Sequence, residues 1–204
     1  MTSEYKVQLE IAGPAAMFTR PDTGAAFVSY PAPTYSAAKG IFESVARFKS
    51  AYVRPIRSEI CCQVQFQRYT TNYGGPLRSQ SLAGGPNSMQ NHALILTDVC
   101  YRIYGVLAEA SPSPTGLNHL RALKEIFDRR LAAGQCYSMP CLGWKDFLPS
   151  YVGPLRPETQ VNSSIDLEIP SMLHSVFDKP NAGKLAPEFR HNVRITRGVL
   201  SYAE

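Results

Sequence analysis

The segment GLNHLRALKEIFDRRLAAGQCYSMPCLGWKDFLPSYV, residues 116–152, decides how the rest of the chain is interpreted. It predicts a helix, because Asn118 is a good capping residue and Gly134 has the typical place of a helix end. The predicted apolar face has spacings of three and four and comprises Leu120, Leu123, Ile126, Phe127 and Leu131. The helix ends with Arg129 and Arg130, at least one of which should point toward the glycine-rich, aromatic turn that follows. A basic helix end beside such a turn suits a bound polyanion.

The composition predicts a packed domain and is compatible with a polyanionic partner. The chain has 204 residues, of which 44% are hydrophobic, so it can bury a sizeable core and wholesale disorder is not expected. Lys and Arg outnumber Asp and Glu by 21 to 16, which gives a formal net charge of +5. This basic excess supports nucleic-acid binding but does not establish it.

The cysteines do not predict a metal centre or a disulfide framework. There are five of them, an odd number without the paired spacing of a zinc site: Cys61, Cys62, Cys100, Cys136 and Cys141. Nothing at the N-terminus resembles a signal peptide, and no apolar run approaches the roughly 20 residues that span a bilayer. We therefore expect a soluble cytoplasmic protein with reduced thiols, no cofactor or metal, and no membrane partner.

The N-terminal half predicts a strand, a helix and then more strands. Polar and apolar residues alternate over Tyr5–Ile11, which predicts a strand, and Thr34 can cap a first helix. Extended chain is predicted at 52–69 and 93–109, separated by a loop at 70–93 that is rich in Gly, Ser, Asn and Gln. A loop of this length in a compact domain is either functional or disordered.

The C-terminal part predicts further strands, including a hairpin over 191–202 that turns at Arg197-Gly198. The order of predicted elements follows the β-α-β-β-α-β pattern with additions. We therefore predict an α+β fold with a ferredoxin-like (RRM-like) sheet and two helices on one face. The predicted organisation is a ferredoxin-like domain over 1–150 and a small β-rich extension over 151–204.

Two blocks of the sequence resemble one protein family. The run IF-D-RR-LAAGQC-Y-x-x-PCLGWKDF, over 126–147, is similar to the RR-x-x-x-GQ-x-F-x-x-P-x-LG-x-REF signature of the fifth CRISPR-associated (Cas-five) protein of type I-C systems. The Phe-Thr-x-Pro turn at 18–21 and the helix block PAPTYSAAKGIFES at 31–44 resemble the opening of the same family. Lys145 stands where that family has Arg, a change that keeps the charge but loses the forked guanidinium.

The resemblance implies a RAMP domain that binds CRISPR RNA. The implied function is a crRNA-binding subunit of the type I surveillance complex, Cascade, which holds the 5′ repeat-derived handle. The implied partners are crRNA, the backbone and large subunits of Cascade, and target DNA indirectly. The loop at about 70–93 would be the family's thumb. The residues expected to bind nucleic acid are Arg20, Lys39, Arg47, Arg68, Arg78, Arg129, Arg130 and Lys145.

The resemblance also implies a second possible function, metal-independent endoribonuclease cleavage of precursor crRNA. The family's proton-transfer positions fall here on Ala46, Ala122 and Leu123, none of which can titrate. The substitutes nearby are His119, Lys124 and Tyr52. The first two are five positions apart, about 140° round a helix, so they should not converge. We expect His119 to face solvent and Tyr52 to be a strand aromatic, and therefore favour binding over cleavage.

A third reading does not depend on the family. The basic helix could dock an acidic protein and bind no RNA at all. Salt dependence of RNA binding separates this reading from the other two, because phosphate contacts release counterions.

Overall fold

The computed structural model describes residues 5–24, 26–73, 89–111, 118–176 and 185–202. These residues form one nine-stranded sheet and two α-helices. In chain order the elements are β1 (Lys6–Ala16), a 3-10 turn (Pro21–Thr23), β2 (Phe27–Val28), α1 (Tyr35–Val45), β3 (Ala51–Ile60), β4 (Phe66–Tyr73), β5 (Met89–Glu109), α2 (His119–Ala132), β6 (Tyr151–Gly153), β7 (Leu167–Ser175), β8 (Glu188–Thr196) and β9 (Val199–Ser201).

Strand β5 is the centre of the sheet. It is 21 residues long and pairs antiparallel with β1, β3 and β4 and parallel with β2. The main strand order is β6-β1-β5-β3-β9-β8-β7, so the C-terminal strands extend the sheet beyond β3. The expected α+β class is confirmed at this level: an antiparallel sheet dominates the fold and is accompanied by two helices.

Both helices begin where the sequence predicts them. The Thr34 side chain accepts a hydrogen bond from the Ala37 backbone N–H, and the Asn118 side chain accepts one from that of Arg121. Each bond satisfies a donor that the first turn leaves without a helical partner. Gly134, with a φ of 65°, follows α2 in the left-handed conformation that favours glycine. Neither helix of the described residues is long and apolar enough to cross a membrane.

The apolar face of α2 packs into the core. Leu123 and Phe127 are fully buried, and the Phe127 ring centroid lies 5.8 Å from that of Phe42 in α1. Leu9 and Ile11 of β1 belong to the same core. Truncating a buried phenylalanine to alanine costs about 3–5 kcal/mol, so this face is a major reason why α2 stays in place.

The opposite face of β1 carries a buried carboxylate. Glu10 alternates with the core residue Leu9 and is itself fully buried. Its carboxylate accepts hydrogen bonds from the Arg156 backbone N–H (3.0 Å), the Arg156 guanidinium (2.6 Å) and the Thr159 hydroxyl (2.9 Å). Arg102, directly opposite on β5, donates from Nε at 3.4 Å. Burial raises the pKa of Glu10, but the bonds from Arg156 and Thr159 outweigh it, and the net pKa is lowered.

The structure corrects the predicted loop at 70–93. Strand β4 includes 70–73 and β5 begins at Met89, so both strands continue into the segment predicted as loop. The part of β4 predicted as loop, 70–73, reads Thr-Thr-Asn-Tyr, and this run does not alternate polar and apolar residues. Residues 74–88, which include Arg78, lie outside the described part of the chain.

Three smaller expectations are also corrected. Strand β1 continues beyond Ile11 to Ala16. The extended chain predicted at 52–69 is interrupted, because β3 ends at Ile60 and β4 begins at Phe66. The predicted turn at Arg197-Gly198 is confirmed, but the strand before it, β8, begins at Glu188 rather than at 191.

Candidate nucleic-acid interface

The two blocks of sequence that resemble the family are in direct contact. The backbone N–H of Met17 donates to the Leu142 carbonyl oxygen at 2.9 Å. The Trp144 indole Nε1 donates to the Thr19 hydroxyl at 2.8 Å. Gly143 has a φ of 89°, and a Cβ at this position would lie 1.9 Å from the Met17 carbonyl oxygen. Only glycine fits this approach, so it holds the turn after α2 against the segment after β1.

Four aromatic rings fill the space between this turn and the base of the β4–β5 hairpin. We call them the hairpin-base cluster: Phe27, Tyr69, Trp144 and Phe147. Trp144 and Phe147 are stacked, with centroids 5.9 Å apart and planes 3° from parallel. Phe27 meets the Trp144 ring edge-on at 5.4 Å, and Tyr69 meets the Phe147 ring at 5.7 Å. The cluster therefore joins β2, β4 and the turn into one rigid base.

Three of the expected RNA contacts are next in sequence to residues of the hairpin-base cluster or to Thr19, which is bonded to it. Arg68 precedes Tyr69 on β4, Lys145 follows Trp144, and both side chains are exposed. Arg20 is tied to β2 by its backbone N–H, which donates to the Val28 carbonyl oxygen at 2.9 Å. The Trp144–Thr19 bond thus brings the backbone at Arg20 and Lys145 together, although they are far apart in sequence. Strand alternation directs the Arg68 side chain to the face of β4 opposite to Tyr69.

Arg20 differs from the other two cations because it is partly neutralised. Its guanidinium makes two hydrogen bonds to the Asp22 carboxylate, at 3.1 and 2.7 Å, and lies 5.6 Å from the Tyr30 ring centroid. The bonds to Arg20 lower the pKa of Asp22, so the carboxylate stays charged. An RNA phosphate would have to compete with this carboxylate for Arg20.

A second group of expected contacts lies along α1. The Lys39 ammonium is 4.8 Å from the Tyr52 ring centroid, a cation–π distance. One turn further on, the Arg47 guanidinium is 3.9 Å from the Glu43 carboxylate. The spacing of four places Lys39 and Glu43 on one side of α1, whereas Arg47 lies beyond the end of the helix and reaches back to Glu43. Tyr52, named as a catalytic substitute, is therefore a partner of Lys39.

Arg130 is the arginine that points to the turn, as expected for one of the pair. Its guanidinium donates to the Val45 carbonyl oxygen at 3.1 Å and lies 6.0 Å from the Tyr137 ring centroid. The Tyr137 backbone N–H donates to the same carbonyl oxygen at 3.2 Å. Arg129 is exposed. The two adjacent arginines therefore differ: Arg130 holds the turn to α1, whereas Arg129 faces solvent.

The expectation that His119 faces solvent is wrong. Its exposed fraction is 8%, and its Nε2 lies 3.4 Å from the Glu109 carboxylate at the end of β5. Its Nδ1 is buried without a hydrogen-bond partner among the described residues. First-turn residues are exposed by default, but here the end of β5 reaches the helix start and covers the ring.

The three substitutes for catalysis do not converge. Lys124 pairs with Asp128 on the exposed side of α2. Glu109, the partner of His119, lies opposite Ala51 in the sheet, whereas Tyr52 lies opposite the neighbouring residue of β5. Alternation therefore directs Tyr52 and Glu109 to different faces.

The positions that align with the family's proton-transfer residues are closed as well as inert. Ala46 has an exposed fraction of 2%, and Leu123 is fully buried. Ala122 is half-buried. Among the described residues, no group of three or more His, Cys, Asp or Glu side chains could hold a metal ion.

Sequence reasoning missed two features. The first is the Glu10 network, whose partners are 92 and 146 residues away along the chain and give no local signal. The second is the basic strand β8, which carries Arg190, His191 and Arg194. Three basic residues within five positions were a signal that could have been used.

Comparison with known proteins gives consistent matches across nearly the whole chain. The family model Cas_Cas5d, described as "CRISPR-associated protein (Cas_Cas5)", matches residues 7–191. Two curated relatives, both named "CRISPR pre-crRNA endoribonuclease Cas5d", are 28% identical to the chain. The one from Thermus thermophilus aligns over 96% of this chain and 90% of its own length. The one from Mannheimia succiniciproducens aligns over 84% of each.

Two solved structures have the same fold. "Crystal Structure of CRISPR-associated Protein" superposes with a TM-score of 0.69 at 17% identity, covering 100% of this chain and 95% of its own. The functionally uncharacterized protein SMU1763c from Streptococcus mutans superposes with a TM-score of 0.74 at 16% identity, covering 99% and 94%. At these identities the likeness is one of fold.

Proposed function

Because the chain belongs to the Cas5 family of CRISPR-associated proteins, we propose that it is the crRNA-binding subunit of a type I surveillance complex, Cascade, and that it holds the 5′ repeat-derived handle. Its partners would then be crRNA and the backbone and large subunits of the complex. Target DNA would be reached only indirectly, through pairing with the bound RNA.

One observation carries the proposal: two distant blocks meet at the hairpin-base cluster with cations beside them. Trp144 bonds to Thr19 across 125 residues of sequence, and the cations Lys145 and Arg20 directly follow these two residues. Single-stranded RNA is recognised by stacking of its bases and by cations that follow its phosphates. A rigid aromatic base with flanking cations offers both.

The finer description of the fold is also a proposal. The strand order β6-β1-β5-β3, with α1 between β1 and β3 and α2 between β5 and β6, matches the ferredoxin-like (RRM-like) arrangement. We assign this RAMP domain to 1–150 together with β6 (Tyr151–Gly153), which supplies its fourth strand, and take the β4–β5 hairpin as its thumb. The residues after β6 would be the β-rich extension expected over 151–204.

The RNA contacts expected from the sequence remain proposals in the same sense. Arg68, Lys145 and Arg129 are supported by their exposure. Arg20, Lys39, Arg47 and Arg130 already contact protein groups, so they would share their charge between RNA and the fold. Arg78 lies outside the described residues.

A second candidate function is cleavage of precursor crRNA, which is favoured by the name of the two curated relatives. Cleavage without metal needs a base for the 2′-hydroxyl, a donor for the developing phosphorane charge and an acid for the leaving oxygen. The side chains of Ala46, Ala122 and Leu123 supply none of these, and Ala46 and Leu123 are also buried. We therefore rank binding first.

The deciding experiment is a binding titration of the purified protein with labelled repeat RNA from the CRISPR array of the same genome. We expect the logarithm of the RNA-binding constant to fall linearly with the logarithm of the salt concentration, because phosphate contacts release counterions. Polyglutamate serves as the competitor. Failure to bind RNA, or displacement of the RNA by polyglutamate at equal charge, would favour the acidic-protein docking reading instead.

A further inference from the structure

A cavity of about 250 Å³ lies outside the regions described above. It is a half-open cavity lined by the first residue of α1, by β7 and β8, and by the chain at β9 and just after it. The sequence offered no candidate RNA contact in this C-terminal part of the chain. The cavity is distinct from the hairpin-base cluster and from the contacts along α1, because it shares no residue with either.

One wall of the cavity is aromatic and held in place. The Tyr35 ring stacks on the His174 imidazole, with centroids 4.2 Å apart and planes 23° from parallel, and meets Tyr202 edge-on at 6.1 Å. The Ser36 hydroxyl donates to the His174 carbonyl oxygen at 2.9 Å. The Tyr202 hydroxyl donates to the Pro33 carbonyl oxygen at 2.7 Å. Tyr35 and His174 are therefore held as a stacked pair whose facing sides cover each other, so a base can stack only on an outer side of the pair.

The other wall is basic. Arg190, His191 and Arg194 of β8 line the cavity, and none of its lining residues in the described part of the chain is acidic. Arg190 lies opposite Met172, which is buried and forms the floor. Arg194 contacts Glu168 at 3.5 Å, but both side chains are more than half exposed. Exposed pairs of this kind are weak, so a phosphate can replace the carboxylate.

We propose that this cavity binds one nucleotide of single-stranded RNA, with the base against the Tyr35 and His174 rings and the phosphate at Arg190 and Arg194. The volume of about 250 Å³ is below the roughly 300–1,000 Å³ of pockets for drug-sized ligands, so a duplex is excluded and a nucleotide would be only partly enclosed. Aromatic and histidine rings stack with bases, and arginines hold phosphates as a fork. The inference rests on the proposed RNA-binding function and adds a second contact region, at the C-terminal end of the sheet.

The test uses the full chain and the labelled repeat RNA. The double variant Arg190→Gln with Arg194→Gln should weaken binding at least about fivefold and lower the salt slope by about 0.7 for each phosphate that the variant no longer neutralises. Tyr35→Leu should weaken binding at least about fivefold, the low end for one stacked base, whereas Tyr35→Phe should bind as the wild type does. The control for charge is Lys6→Gln with Arg121→Gln, two exposed cations outside the cavity.

A second measurement does not depend on the folding of any variant. Wild-type protein is irradiated with repeat RNA that contains 4-thiouridine, and crosslinked peptides are identified by mass spectrometry. Crosslinks at Tyr35 or His174 are expected. If the wild type binds RNA but the cavity variants bind equally well, or all crosslinks fall elsewhere, this inference is overturned and the proposed function survives. If the wild type binds no RNA, both are overturned.

Discussion

The Arg130 guanidinium donates a 3.1 Å hydrogen bond to the carbonyl oxygen of Val45, the last residue of α1. The last four carbonyls of a helix have no partner within it, and the C-terminal end carries a partial negative charge. The Arg130 guanidinium, which projects from the last turn of α2, gives the Val45 carbonyl oxygen a hydrogen-bond donor and places a positive charge beside the negative end of α1. A residue expected to bind RNA is thus also a brace between the two helices.

Arg130→Ala should therefore destabilise the protein by about 1–2 kcal/mol, slightly below the usual range for a bond to a charged group because the side chain is half-exposed. Arg129→Ala should stay within about 0.5 kcal/mol of the wild type, as exposed substitutions do. Urea denaturation of the two variants measures the difference. Equal denaturation midpoints would show that the contact with Val45 carries no stability.

Arg129→Ala should instead weaken RNA binding. Its side chain is exposed beside the turn, so its removal should lower the salt slope by about 0.7 for one phosphate contact. Arg129→Lys should retain most of the affinity, because a phosphate is attracted to either cation. The titration with labelled repeat RNA gives both quantities. An unchanged slope would remove Arg129 from the interface.

Gly143→Ala should destabilise the protein by at least about 3 kcal/mol. The added Cβ would lie 1.9 Å from the Met17 carbonyl oxygen, and the φ of 89° is strained for any L side chain. Gly134→Ala is the matched control, since its φ is also positive, at 65°, but a Cβ there has nothing within 4 Å. Gly134→Ala should lower the free energy of unfolding only by the backbone strain at this positive φ, about 1 kcal/mol. Thermal or urea denaturation compares the two, and similar losses would contradict the steric argument.

The helices could be predicted from the sequence because their signals are local. Thr34, Asn118 and Gly134 act within one turn of their own positions, and the structure shows each acting as predicted. The bounds of the strands were harder to predict from the sequence. Strand β1 continues through Pro14, which the structure accommodates by an irregular pairing opposite Asp98, whose φ is 51°. No pattern in the sequence around Pro14 predicts that β5 adapts its pairing at Asp98.

The candidate site could be predicted only in part, for the same reason. The resemblance named the two blocks, but nothing in it said that Trp144 would bond to Thr19. His119 was misplaced because it is buried in the folded chain, where its Nε2 lies 3.4 Å from the Glu109 carboxylate at the end of β5. Contacts set by tertiary packing override the default exposure of a first-turn residue.

The stability of the protein should fall in acid partly through Glu10. Its folded-state pKa is lowered, so its contribution is fully present above the unfolded value, near 4.5, and is lost as the pH falls through the folded value. Glu10→Gln should lower stability at pH 7 by about 2–3 kcal/mol, less than for a sealed ion pair because Arg156 reaches solvent. Below pH 4.5 the difference between wild type and variant should narrow. Urea denaturation of both proteins between pH 7 and pH 3 measures the difference in their free energies of unfolding. A difference that stays constant over this range would contradict the lowered pKa of Glu10.

The last prediction is that the isolated protein cuts repeat RNA little or not at all, so that another nuclease supplies the crRNA. Each positioned proton-transfer group contributes about two to four orders of magnitude, and Ala46, Ala122 and Leu123 cannot transfer protons. The remaining candidates face apart, since His119 is buried against Glu109 and Lys124 is paired with Asp128.

Repeat RNA incubated with the protein in EDTA, and resolved on a denaturing gel, measures this directly. The Thermus thermophilus relative, which is named as a pre-crRNA endoribonuclease, is the positive control. Cutting at one site that resists EDTA and is abolished by His119→Ala or Lys124→Ala would contradict the prediction. It would also show that RNA binding rearranges α2, because in the described structure these two side chains cannot reach one phosphate together.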